Sequence, residues 1–140
     1  MRTILCHMCL AALLGLAASP AWSEQAVPSE PLSCVFFQAF ECTPEDGCEA
    51  TTPEELDAPR LIKIDLAERK LVAASRTAGA LESTIKLSER VGGNLILQGL
   101  DGALPWSLTL NDETHILTGA ATDDDSGFVM FGVCVPPSGP

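Results

Sequence analysis

The sequence has no tyrosine, five phenylalanines and two tryptophans, and it sets eight lysines and arginines against nineteen aspartates and glutamates. Too few bases are present to neutralise a phosphate backbone at a formal charge of −11. An aromatic share of 5% likewise leaves no stacking platform for single-stranded nucleic acid. Nucleic acid is not an expected partner. Charge of either sign is itself sparse at 19%, and a mean hydropathy of +0.23 excludes a disordered polyelectrolyte. At 140 residues the chain has room for one compact domain.

Long apolar runs are absent except from Ile4 to Ala18. That run follows the basic start Met1-Arg2-Thr3 and precedes Pro20 and the small-x-small site Ala21-Trp22-Ser23, the order of a signal peptide over residues 1–23. Cleavage after Ala21 is the alternative. The run is shorter than the roughly 20 residues of a comfortable span, so no membrane anchor is expected after cleavage. Cys6-His7-Met8-Cys9 spaces two cysteines like a metal or redox motif, but it lies inside the segment to be removed and is read as incidental. No Leu-small-small run precedes Cys9, so acylation is not expected. Without residues 1–23 the formal charge is −12, because Arg2 is that segment's one charged side chain.

Four cysteines remain, Cys34, Cys42, Cys48 and Cys134, an even number in an exported chain and the makings of two disulfides in a periplasmic or secreted protein. Three pairings are open. The preferred one joins Cys34 to Cys134, tying a first strand to a last one, and leaves Cys42 and Cys48 to close a short acidic loop.

Residues 24–33, with Pro28 and Pro31, read as an extended linker, 34–135 as a single β domain and 136–140 as a flexible tail. Cys34-Val-Phe-Phe-Gln-Ala-Phe opens the domain as a strand. Thr52-Pro53-Glu54-Glu55 is a capping box with proline at the first helical position, limited by Pro59 to about one turn. Beyond it, alternating stretches are separated by turn residues: Arg60–Leu66, Lys70–Ser75, Glu82–Ser88 with Ile85 and Leu87 inward, Asn94–Gln98, Leu104–Leu110, Thr114–Gly119 and Phe128–Val135. The last run is long and apolar enough to be a strand buried on both faces or one lying across a barrel. Eight candidate strands without a long amphipathic helix predict an all-β fold, a small antiparallel barrel or a two-sheet sandwich with a cysteine-bounded loop.

Candidate chemistry is thin. His115, the one histidine outside residues 1–23, falls in a predicted strand after Asp112 and Glu113, where a carboxylate could orient it as a base. No G-x-S-x-G elbow supplies a nucleophile, the cysteines are expected to be oxidised, and one histidine does not make a zinc site. Catalytic residues, metal and cofactor are therefore none. The acids of residues 41–57 and the run Asp123, Asp124, Asp125 could offer oxygens to a cation, yet neither has calcium-loop spacing, and they read as solvated loops. Paired carboxylates for glycoside hydrolysis lack the aromatic sugar platforms that chemistry uses. Trp106 shares its phase with Leu108 and Leu110 and reads as core, or as the wall of a ligand cavity.

A Cys-containing first strand, Glu41-Cys42-x5-Cys48, successive hairpins and a terminal Gly132-Val133-Cys134 resemble small exported disulfide-containing β proteins of Gram-negative bacteria, a likeness that implies no activity. In outline the chain is also similar to the periplasmic C-type lysozyme inhibitors, whose members bind a basic hydrolase. Their characteristic Tyr and Trp-Lys-Gly elements are missing here, so no inhibitor residues are carried over.

The leading expectation is a non-catalytic, acidic binding module for a basic periplasmic or extracellular protein, with Trp106, His115 and Asp123–Asp125 as candidate contacts. The alternative is a lipocalin-like carrier of a small apolar ligand, and the remote one a hydrolase resting on His115.

Overall fold

The computed structural model describes residues 30–75 and 79–135. The expected signal peptide, most of the 24–33 linker and the 136–140 tail lie outside the described residues. Nine strands follow in chain order: β1 (Leu32–Thr43), β2 (Gly47–Thr51), β3 (Leu61–Asp65), β4 (Lys70–Ser75), β5 (Gly79–Val91), β6 (Asn94–Asp101), β7 (Leu104–Asn111), β8 (Ile116–Thr122) and β9 (Gly127–Val135). The described chain is all-β. From β3 to β9 each strand pairs antiparallel with the next, and β1 pairs with both β3 and β9, so eight strands close into a barrel with β2 appended to β1. Between barrel and sandwich, the fold is the barrel.

Alternation explains the wall. Ile62 and Ile64, Leu95 and Leu97, and Leu108 and Leu110 point inward and are at most 5% exposed. Two bulges break the period. Phe37 is the extra residue of β1 against β9, so Phe36 points in, Phe37 is 58% exposed and Ala39 is inward again. In β5 the extra residue is Lys86. Leu87, expected beside Ile85 in the core, is therefore carried to the outer face, 39% exposed. The Arg69 guanidinium donates to the carbonyls of Ile85 and Lys86, at 3.2 and 2.8 Å, and holds the strand where the ladder is interrupted.

Both disulfides join residues directly opposite on neighbouring strands. Cys34–Cys134 locks β1 to β9 at the seam where the barrel closes, and Cys42–Cys48 locks the β1–β2 hairpin. Such bridges persist in an oxidising compartment, as outside the cell or in a periplasm. The cysteine-bounded loop is mostly strand: β2 pairs Gly47–Thr51 with Ala39–Thr43 and leaves a tight turn between. β1 also starts at Leu32, two residues before the expected boundary, because Leu32 is buried and pairs with Ile64.

Of the two expectations for Phe128–Val135, burial on both faces does not hold: it is a strand of the barrel wall between β8 and β1. Its inward residues Met130, Gly132 and Cys134 face the core, while outward Val133 and Val135 are 37% and 61% exposed. Leu61, Val35, Val133 and Ile116 form one apolar cross-strand row on the outer wall.

Candidate functional site

An eight-stranded barrel is wide enough to be filled by side chains or to hold one small ligand. This one is filled at one end and hollow at the other. At the end carrying the 66–69, 92–93 and 112–115 turns, Leu32, Ile64, Leu95, Leu97, Leu110 and Leu117 form a packed core. Phe36 caps that core. Its ring lies over two glycines: a Cβ on Gly119 would fall 3.3 Å from Phe36 Cζ, and one on Gly132 would fall 3.1 Å from its Cδ1. β8 and β9 thus give up side chains where the ring sits.

Above Phe36 lies a cavity of about 220 Å³. Ile62, Leu71, Ala73, Leu81, Trp106, Leu108, Ala121 and Met130 are among the residues that line it. Ser83, Asp57 and Asp101 are its polar and charged side chains, and no histidine, lysine or arginine is among the lining residues.

Trp106 is half-buried in this wall. Its indole Nε1 donates to Ser83 Oγ at 2.9 Å, and Ser83 donates onward to the Leu100 carbonyl at 2.8 Å, so the ring's one polar atom is satisfied within the barrel. The ring lies over Gly99, its cross-strand partner, where a Cβ would come within 2.6 Å of Trp106 Cε2 and 2.7 Å of the Thr84 carbonyl oxygen. Gly99 is therefore a strand residue kept small by the indole, not the start of a turn.

The mouth is crossed by the segment between β2 and β3. Thr52 and Glu55 form the expected capping box, Thr52 N–H donating to Glu55 Oε2 at 3.1 Å and Glu55 N–H to Thr52 Oγ1 at 3.3 Å. Three hydroxyl and amide donors from Thr51 and Thr52 hold the Glu55 carboxyl below the usual carboxylate range, led by the Thr51 hydroxyl. The segment ends as sharply as it begins. Asp57 has φ 51°, its N–H bonds to the Glu54 carbonyl, and Ala58 N–H bonds to the Pro53 carbonyl at 2.8 Å, the left-handed closure that stops helix growth. One hydrogen-bonded turn results, with no helix, and Leu56 to Pro59 line the cavity from above.

The sequence candidates divide between the two ends. Trp106 lines the cavity, and Asp123, Asp124 and Asp125 form an exposed loop at the mouth end, closed by Asp123 N–H donating to the Ser126 carbonyl. His115 is elsewhere. It belongs to the exposed turn before β8, at the opposite end, and its φ of 58° takes it out of the expected strand. His115, on which the hydrolase reading rests, does not line the cavity. Among the described residues no three His, Cys, Asp or Glu side chains converge as a metal site.

Ser83, Asp101 and the 56–59 segment were not legible as site residues. Asp101 carried the one usable signal: continuing the Leu95, Leu97 alternation through Gly99 puts it on the inner face. Comparison of the chain with family models, curated proteins and solved structures finds no match.

Proposed function

We propose that this chain is a non-catalytic binding protein, exported to the periplasm or beyond the cell, whose barrel holds one small apolar ligand. The cavity above Phe36 carries the reading. An apolar cavity of about 150 Å³ suffices to take up benzene, so about 220 Å³ accommodates a single ring or an alkyl chain of roughly eight carbons. Burial of that surface supplies the affinity, and the lid turn restricts the exit.

Ala121 offers a clean test because it lies between Trp106 and Phe128, its partners on the two neighbouring strands. Ala121→Phe fills the cavity from the wall without touching the core below Phe36. Native mass spectrometry of the purified protein is expected to show a small bound mass that this variant lacks, with the melting temperature little changed. An empty wild-type barrel that also ignores added octan-1-ol sinks the reading.

A second reading, the acidic module for a basic protein, is supported by the crowding of Glu45, Asp46, Asp57, Asp101 and Asp123–Asp125 at the mouth end, where Arg60 is already paired with Glu54 at 3.4 Å. Such a field speeds encounter with a basic partner. Binding to a C-type lysozyme should then weaken steeply as salt rises past about 0.15 M. Absence of binding at low salt removes this reading.

A further inference from the structure

We infer that the ligand is an apolar molecule ending in a cation, an alkyl- or arylamine; this rests on the cavity reading above and names the chemistry of its polar end. Among the described residues the walls and floor of the cavity carry no charge, so a charged ligand group belongs at the rim. Two carboxylates line that rim from separate elements, Asp57 on the lid turn and Asp101 at the end of β6.

Each is placed by backbone geometry. Asp57 occupies the left-handed position that closes the lid turn, and Asp101 pairs with Leu104 in the same inward phase as Leu97. Neither carboxylate has a hydrogen bond or ion pair to another described residue beyond its own backbone role.

The remaining polar side chain, Ser83, is already committed, accepting from Trp106 and donating to Leu100. Arg60, the described base on the lid, is paired with Glu54 and is not among the lining residues.

A carboxylate-headed ligand such as a fatty acid would bring its charge to two like charges, with no base among the described lining residues to offset them. An alcohol would gain no Coulomb attraction from either. An ammonium group at the rim is attracted by either carboxylate while its tail fills the space down to Phe36. The site therefore ranks amine above alcohol above carboxylate for the same tail.

The experiment uses the exported protein, its precursor carrying Trp22→Phe so that Trp106 is the one indole whether cleavage follows Ala21 or Ser23, and follows its emission during titration with octylamine, octan-1-ol and octanoate at pH 7. Octylamine should bind about tenfold more tightly than octanol in about 10 mM salt, with the advantage lost in about 1 M salt, where the screening length is about 3 Å. Asp57→Asn with Asp101→Asn should abolish the advantage of octylamine over octanol, read as the ratio of the two affinities in the same variant. Asparagine tolerates the left-handed backbone, so the lid survives the exchange.

Equal binding of amine and alcohol, or a preference for octanoate, overturns the charge inference and leaves the cavity reading standing. Failure of all three probes to move Trp106 emission overturns the cavity reading itself.

Discussion

Replacing Cys34 and Cys134 together by alanine is expected to lower the unfolding free energy by about 4–5 kcal/mol, the largest loss any one covalent change should cause. The bridge spans a sequence separation of 100, and constraining so long a loop removes much of the unfolded chain's entropy. Its place in the fold adds a kinetic consequence. β1 and β9 form the one seam that joins the two ends of the meander, so without the bridge the barrel closes only after the most distant segments meet. Denaturant titration should show the lower midpoint, and stopped-flow refolding a slower folding limb. The Cys42–Cys48 bridge closes a separation of 6 and should contribute about 2 kcal/mol, with little effect on folding rate. Equal losses from the two double-alanine variants would refute the assignment of barrel closure to the first. A domain of this size has about 5–15 kcal/mol to lose, so the Cys34/Cys134 variant should sit near the edge of folding at 37 °C.

The closed meander was legible where strands are half-buried, because Ile62 with Ile64 and Trp106 with Leu108 and Leu110 mark one inner face by plain alternation. Where the period is interrupted, the pattern misled. Nothing in Thr84-Ile85-Lys86-Leu87 announces an extra residue, and the bulge depends on Arg69, sixteen positions away, to satisfy the freed Ile85 carbonyl. β2 carries no strand signal in the sequence because Gly-Cys-Glu-Ala-Thr lies outside the barrel and buries no face, so it has no apolar period to show. Gly99 resembled a turn signal because glycine serves two physical needs, positive φ in turns and close approach in strands, and only the Trp106 ring across the ladder tells which applies.

The cavity was less legible still. A wall residue and a core residue both obey the same alternation, so the hollow half of the barrel differs from the filled half only in side-chain volume. At the lid end the wall is made partly of Ala73, Ala121 and Ser83, where the packed half uses leucine and isoleucine.

Phe36 separates those halves, and removing its ring tests the division. Phe36→Ala should cost about 3–5 kcal/mol, since the side chain is 1% exposed and Gly119 and Gly132, with no side chains of their own, cannot collapse into the space. For a domain this size that corresponds to a fall of roughly 12–20 °C in melting temperature. The loss should be partly reversible in a way that an ordinary core deletion is not. The vacated ring volume opens into the cavity and deepens it toward Leu117 and Leu97. A longer alkyl ligand can then occupy it, and ligand that binds only the folded state restores stability as its concentration exceeds the dissociation constant. Decan-1-ol should therefore raise the melting temperature of Phe36→Ala more than octan-1-ol does, and the order should reverse or vanish in the wild type, where Phe36 limits the depth. If the alanine variant does not fold, Phe36→Leu leaves a smaller void and should show the same shift in chain-length preference at lower amplitude. Unchanged chain-length preference in both variants would mean that Phe36 is not the floor of the binding site.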